Sequence, residues 1–183
     1  MTATCSVYIA TSVDGFIAKP DGSIDWLHHP DYSGGRLNGL SYEEFISTID
    51  ALVMGRHTFE KVLSFKSWPY ENVPVTVLTS RSLDIPHHLL STVSVDQGTP
   101  HDIVARLSAD GKEHLYIDGG ITIQRFLAAG LIRELTITRI PILLGEGIPL
   151  FGASGPAQLL QLMAVTQSEN GMVQVRYSIP TDE

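Results

Sequence analysis

The sequence has little cysteine and little positive charge. Cys5 is the single cysteine among 183 residues, so no disulfide can form within the chain. Twelve Lys and Arg residues stand against twenty Asp and Glu residues, which gives a formal net charge of −8. Nucleic-acid binding requires a basic surface that displaces counterions from the phosphate backbone. We therefore expect no nucleic-acid partner for this chain.

The sequence also lacks a long apolar run and a basic N-terminal segment. No stretch approaches the ~18 apolar residues of a transmembrane helix. Asp14 interrupts the first apolar segment, and no positive region precedes it, so we expect no signal peptide. Hydrophobic residues make up 43% of the chain, which is typical of a folded globular protein. No repeat or linker divides it, and the sequence predicts a single cytoplasmic domain over residues 1–183 without a membrane partner.

Apolar runs that alternate with amphipathic segments predict strands and helices in turn. The predicted strands cover 6–11, 51–54, 73–78, 92–95 and 114–117, and helices are expected to begin at Ser41, His57, Pro100 and Thr122. Ser41 and Glu44 resemble a capping box, and Gly130 is expected to end the last of these helices. Residues 131–140, 159–169 and 172–179 suggest further, antiparallel strands. The long polar segment 12–40 is a candidate substrate loop. This order predicts an α/β fold with a mixed, mostly parallel central sheet and helices on both faces.

Three predicted strands end in segments that are suited to bind phosphate. The first junction contains Gly55, Arg56, His57 and Thr58, the second Leu78, Thr79, Ser80 and Arg81, and the third Asp118, Gly119, Gly120, Ile121 and Thr122. Glycines let a phosphate approach backbone N–H groups at a helix start, and arginines and hydroxyls can contact it directly. Ligands of open α/β sheets bind beyond the carboxyl ends of the strands. The three junctions together predict a dinucleotide site, although each one alone is equally consistent with an ordinary turn or helix cap.

Several longer segments resemble known reductases. Residues 51–60 (ALVMGRHTFE) and 117–120 (IDGG) are similar to the cofactor-binding strand and the glycine-pair turn of dihydrofolate reductases. Residues 12–18 (SVDGFIA) and the segments between Gly119 and Phe151 are more similar to a second group. That group is the C-terminal reductase domain of the bifunctional deaminase-reductase of riboflavin biosynthesis. The chain resembles this dihydrofolate-reductase-like family over nearly its whole length.

The resemblance implies a dihydrofolate-reductase-like three-layer fold that binds NADPH across the three junctions. The nicotinamide would then lie near Ala10 and the loop that contains Asp14 and Ile17. The implied substrate is a small heterocycle such as 5-amino-6-(5-phosphoribosylamino)uracil, and the implied assembly is a homodimer. The deaminase half of the riboflavin enzyme binds zinc through cysteines, and a chain with one cysteine cannot supply that site.

Folate reduction is a second hypothesis, and NADPH binding without turnover is a third. Dihydrofolate reductases carry an acidic residue on the first helix, and the matching position here is Ser41. Glu43 or Glu44 would reach that place only with a shifted register. We therefore expect little activity with dihydrofolate.

The candidate catalytic residue is Asp14, because it follows the first strand where the hydride acceptor would lie; its alternative role is an Asp-Gly turn. Candidate substrate contacts are Trp26, Arg36 and Glu146, each of which could instead be a core, surface or turn residue. The adjacent histidine pairs, 28–29 and 87–88, lack partners at ligand spacing. No metal site is predicted.

Overall fold

The computed structural model describes residues 2–33, 36–152 and 155–180. Eight strands form one sheet. They are β1 (Thr4–Thr11), β3 (Ala51–Gly55), β4 (Val75–Leu78), β5 (Val93–Asp96), β6 (His114–Asp118), β7 (Ile132–Arg139), β9 (Gln161–Gln167) and β10 (Val173–Ser178). Their order across the sheet is β5-β4-β3-β6-β1-β7-β10-β9. A small second sheet pairs β2 (Phe16–Ala18) with β8 (Ile148–Pro149) in antiparallel orientation.

Helices lie on both faces of the large sheet, as the sequence predicts. They are α1 (Pro30–Ser33), α2 (Tyr42–Ile46), α3 (Arg56–Leu63), α4 (Pro100–Ala109) and α5 (Gly120–Ala128). Ser41 and Glu44 form the expected capping box of α2, in which the Ser41 hydroxyl accepts from the Glu44 N–H at 3.2 Å. Gly130 follows α5 with a φ of 66°, a left-handed conformation that glycine adopts without strain. None of the helices in these ranges is long and apolar enough to cross a bilayer.

Two apolar clusters fill the space between the sheet and its helices. One contains Ile103 of α4 and Phe126 of α5, and the other contains Phe45 of α2 and Phe59 of α3. Alternate residues of β3 belong to different clusters, so this strand is buried on both faces. The predicted α/β fold, with a mixed, mostly parallel sheet and helices on both of its faces, is thereby confirmed.

The strand-rich end differs in one respect from the prediction. β7 pairs antiparallel with β10 but parallel with β1, whereas the sequence suggested antiparallel pairing for the whole region. The reason is the connection through α5, because a strand reached by a crossover helix runs in the same direction as the strand before that helix.

The segment predicted as a substrate loop contains several short elements. It includes β2, a 3₁₀ turn at Asp25–His28 and α1. Residues 34 and 35 of this segment lie outside the described residues. Pairing between β2 and β8 ties the start of the loop to the segment that follows β7.

Candidate functional site

The three predicted junctions lie at one edge of the sheet. β3 has β4 on one side and β6 on the other, and all three strands are parallel. Their registers align Gly55 with Leu78 and Met54 with Asp118, so the carboxyl ends of these strands are level with one another. The sequence predicts that the three junctions form one site, but the strand order that puts β6 beside β3 is set only by the tertiary structure.

The two helices that start at this edge have glycine N-caps. Gly55 precedes α3 and Gly119 precedes α5, and neither helix has a side-chain cap among the described residues. In contrast, α2 and α4 each begin with a complete capping box. The first N–H groups of an uncapped helix lack protein acceptors, and the helix dipole places partial positive charge there. Two such helix starts at one edge favour binding of an extended anion such as a diphosphate.

One threonine of each helix packs against the glycine that precedes the other helix. The hydroxyl oxygen of Thr58 occupies the space that a Cβ atom on Gly119 would fill, and Gly119 has a φ of 90°. A Cβ atom on Gly55 would lie 3.0 Å from the hydroxyl oxygen of Thr122. The helices thus converge from opposite faces of the sheet.

The arginines of the first two junctions have different surroundings. Arg56 pairs with Glu60, with 2.7 Å between Nε and Oε1, and its Nη1 donates to the carbonyl of Ser82 at 3.3 Å. These contacts connect α3 to the second junction. Arg81 is exposed and has no ion pair within the described ranges, so its guanidinium remains available for a ligand.

Other predicted contacts vary in accessibility. The side chain of His57 is 93% exposed, and Ile121 is 69% exposed. Ser80 is exposed, whereas Thr122 is buried. A Cβ atom on Gly120 would lie 3.0 Å from Cδ1 of Ile17, which places the loop after β1 beside the start of α5.

Asp14 connects two loops at the edge of the candidate site. Its carboxylate accepts the N–H groups of Leu144 at 3.1 Å and Gly145 at 2.8 Å. Hydrogen bonds from Ser12 and from these backbone groups hold the pKa of Asp14 below its usual range. Asp14 is therefore ionised at neutral pH, and its carboxylate joins the loop after β1 to the loop after β7.

The pKa of a second carboxyl group, that of Asp118, is raised and not lowered. Asp118 ends β6, and its Oδ1 accepts the N–H of Gly119 at 2.8 Å. Burial raises the pKa of Asp118 to about 6. Burial and the nearby Asp118 charge together raise the pKa of Tyr42 to about 12, which places this carboxyl on the α2 side of the sheet.

From the sequence, Asp118 is predicted only as a cofactor contact and not as a proton carrier. A signal was present, because an acidic residue ends a buried strand directly before a glycine pair. Alternation along β6 also places it on the same face as Tyr116, which packs against Phe45 of α2.

The predicted substrate residues differ in their exposure. Trp26 is 5% exposed and packs with Tyr32 and Ile140 in a third apolar cluster, against which Ala10 also packs. Arg36 and Glu146 are exposed, and neither is hydrogen-bonded to a described residue. Across the described ranges no group of three or more His, Cys, Asp or Glu side chains comes together as a metal site would require.

Comparison with known proteins gives a consistent family assignment. The family model of the RibD C-terminal domain matches residues 3–174. The protein YwjB of Bacillus subtilis is 38% identical over 150 residues, which cover 79% of this chain and 80% of YwjB. A candidate riboflavin biosynthesis protein from Shewanella sp. PV-4 is 39% identical, with a TM-score of 0.85 over 99% of this chain and 100% of that chain.

Two more distant structures share the fold. One is the diaminohydroxyphosphoribosylaminopyrimidine deaminase/5-amino-6-(5-phosphoribosylamino)uracil reductase of Thermotoga maritima, at 14% identity and a TM-score of 0.71; the match covers 98% of this chain and 57% of that one. The other is the dihydrofolate reductase of Enterococcus faecalis complexed with NADP(H), at 19% identity and a TM-score of 0.63 over 99% and 100% of the two chains. With the uncapped helix starts and the glycine pair at one sheet edge, these findings lead to one assignment: the chain belongs to the RibD C-terminal domain family, whose relatives include reductases with this fold.

Proposed function

We propose that this protein is an NADPH-dependent reductase of a small heterocyclic substrate. The observation that carries the proposal is the pair of glycine-capped helices, α3 and α5, which begin side by side without side-chain caps in the described structure. The dihydrofolate reductase of Enterococcus faecalis, which has the same fold, is complexed with NADP(H). A side chain at position 119 would meet Thr58, so the glycine there allows the starts of α3 and α5 to approach each other closely.

The cofactor-binding roles follow from chemistry at the three junctions. The N–H groups after Gly55 and Gly119 would hold the diphosphate. Arg81, with the hydroxyls of Thr79 and Ser80, would contact the additional phosphate that distinguishes NADPH from NADH. Arg56 would position the second junction through its bond to the Ser82 carbonyl. The nicotinamide would lie near Ala10 and Ile17, and bound NADPH supplies a hydride.

The proposed substrate is 5-amino-6-(5-phosphoribosylamino)uracil or a close relative, as the name of the Thermotoga maritima protein suggests. After the ribose ring opens to an imine, hydride adds to C1 and a proton adds to the attached nitrogen, which gives the reduced amine. Asp118 is the group proposed to hold that proton, since its pKa of about 6 keeps part of it protonated near neutral pH. Asp14, which is ionised, would instead position the loops around the substrate. Trp26, Arg36 and Glu146 remain proposed substrate contacts.

Binding and turnover are tested in sequence. NADPH binding is measured by calorimetry, with a dissociation constant in the micromolar range or below expected. NADPH oxidation is then followed with the ribosylaminouracil substrate and with dihydrofolate, and we expect activity only with the former. Failure to bind NADPH would contradict the proposal, whereas binding without oxidation across both substrates would favour a non-catalytic dinucleotide-binding protein.

The homodimer is a separate proposal, with a second copy of this chain as the partner. The edge strand β9 has no neighbour on its outer side among the described strands. Leu162 is 61% exposed and Val165 is 56% exposed. A register shift between β9 and β10 skips Met163 and puts both side chains on the same face of β9, opposite Tyr177 and Val175. Pairing of two such edges about a twofold axis would bury these apolar side chains and satisfy the open backbone groups.

A further inference from the structure

A cavity of about 300 Å³ lies beside the start of α2, where β9 and β10 end the sheet. Its walls include Leu40, Glu44, Ala164, Thr166, Gln174 and Arg176. The strand residues of this cavity lie on the face of the sheet that α2 covers, opposite the exposed Val165. A dimer formed through Val165 would therefore leave the cavity on its other face.

The cavity is separate from the candidate cofactor site. Arg176 lies on β10, in register with Thr136 on β7, which is in register with Tyr8 on β1. Asp118 lies on β6, on the far side of β1. Three strand spacings therefore separate Arg176 from Asp118, roughly 14 Å. Tyr8 lies between them, and its hydroxyl donates to the carbonyl of Leu40 at 2.9 Å.

Two buried polar atoms of the cavity walls lack hydrogen-bond partners among the described residues. They are Nε of Arg176 and the hydroxyl oxygen of Thr166. Buried polar groups are normally paired, and a charged donor without an acceptor is especially costly. Gln174 is satisfied, because its amide binds both the N–H and the carbonyl of Leu40, at 2.8 and 2.9 Å. Arg176 and Thr166 are thus the groups with unused capacity for a ligand.

Glu44 supplies a negative charge to the same cavity. Its Oε2 accepts the Ser41 N–H and the Ser41 hydroxyl, both at 2.9 Å, which holds the pKa of Glu44 below its usual range. No ion pair joins Glu44 and Arg176 in the described structure, although both line the cavity. The cavity therefore presents one cation and one anion at separate points, with apolar surface from Leu40 and Ala164.

We propose that this cavity binds a small zwitterion, namely an α-amino acid with an apolar side chain. Its carboxylate would accept from Arg176 and Thr166, its ammonium group would donate to Glu44, and its side chain would contact Leu40 and Ala164. The charge of Glu44 disfavours a dianion such as a phosphate monoester, because groups of like charge repel each other.

The test uses three probes of matched shape with the full-length protein. L-Leucine carries both charged groups, 4-methylpentanoate carries only the carboxylate, and 3-methylbutylamine carries only the ammonium group. Binding is measured by calorimetry and by the shift in melting temperature. We expect L-leucine to bind about tenfold or more tightly than either single-charge probe.

Variants assign the binding to the cavity. Arg176→Gln and Ala164→Leu should each weaken L-leucine binding about tenfold or more, the first by removing the cation and the second by filling space. Glu44→Gln retains a capping side chain for α2, and it should reduce the preference for L-leucine over 4-methylpentanoate. NADPH affinity should be unchanged in Arg176→Gln, which shows that the variant is folded.

Several results would overturn the proposal. One is equal binding of L-leucine to the wild type and to a folded Arg176→Gln variant. Another is no detectable binding of L-leucine at millimolar concentration. Preferential binding of 4-methylpentanoate or of inorganic phosphate would also contradict it, since the zwitterion would then not be the preferred ligand.

Discussion

Thr58 of α3 is in direct contact with Gly119, which precedes α5. The two residues are 61 positions apart in the chain, and the two helices lie on opposite faces of the sheet. The Thr58 hydroxyl fills the space where a Cβ atom on Gly119 would lie. The positive φ of Gly119 orients the backbone that enters α5, and α3 approaches from the other side. This close approach brings two helix N-termini together, which is the geometry that the proposed diphosphate site requires.

Gly119→Ala should reduce NADPH affinity about tenfold or more. The added methyl group would both meet Thr58 and strain a backbone with positive φ, so that the two helix starts would move apart. Gly111→Ala is the matched control, because Gly111 also has a positive φ but no atom within 4 Å of the added Cβ. Gly111→Ala should lose roughly 1–2 kcal/mol of stability in denaturant unfolding through its positive φ, and Gly119→Ala should lose more because of the added contact with Thr58. Equal NADPH affinity in the two variants would contradict the proposed site.

Arg81→Ala should weaken NADPH binding about tenfold and leave NADH binding unchanged. Arg81 is an exposed guanidinium without an ion pair in the described ranges, and the extra phosphate of NADPH is its proposed partner. Lys66→Ala removes an equal charge beyond the other end of α3 and serves as the control. Calorimetric titration with both nucleotides measures the effect. A similar loss for NADH would show that Arg81 does not distinguish the two cofactors.

Asp118→Asn should lower kcat about a hundredfold or more while NADPH affinity is retained. In the wild type, kcat should fall as pH rises through about 6, since Asp118 loses its proton there. The variant should lack this decline. Asp14→Asn is the comparison, because Asp14 is already ionised and its replacement should leave the pH dependence unchanged. A pH profile that follows Asp14 would assign the proton transfer to that residue instead.

The raised pKa of Asp118 should also make the free energy of unfolding depend on pH. Its folded-state pKa of about 6 lies above the ordinary value of 3.8, so the folded protein binds more protons between these values. The free energy of unfolding should therefore fall as pH rises from about 4 to about 6. Asp118→Asn removes this loss, and at pH 7 it should be more stable than the wild type by up to ~3 kcal/mol. The difference should disappear below pH 4, as urea unfolding at several pH values would reveal.

Val165→Glu should convert the proposed homodimer into a monomer. The substitution places a charge on the exposed face of β9, where apolar contact between two copies is proposed. Leu90→Glu is the control, because Leu90 is similarly exposed but lies in the turn before β5. Light scattering coupled to size-exclusion chromatography measures the mass of each variant. A wild-type protein that is monomeric at micromolar concentration would contradict this proposal.

Local signals in the sequence were sufficient for most of the elements. The capping box at Ser41, the apolar run of β3 and Gly130 after α5 each act through neighbours a few residues away, and the structure confirms all three. The direction of β7 was not accessible in this way, because it depends on how α5 crosses the sheet. The proton-carrying role proposed for Asp118 was not predicted from the sequence for a related reason, since its raised pKa depends on burial beneath segments that are distant along the chain.

By itself, the sequence determined which residues could bind phosphate, since glycines at strand ends, arginines and hydroxyls have that capacity in any fold. Only the tertiary structure decided which of them meet. Parallel pairing of β3 with β4 and β6 aligned the three junctions, and it placed Arg176 and Glu44 around a different cavity. The physical reason is that strand pairing joins backbone groups regardless of their separation in the chain, so sequence distance carries no information about which side chains share an edge.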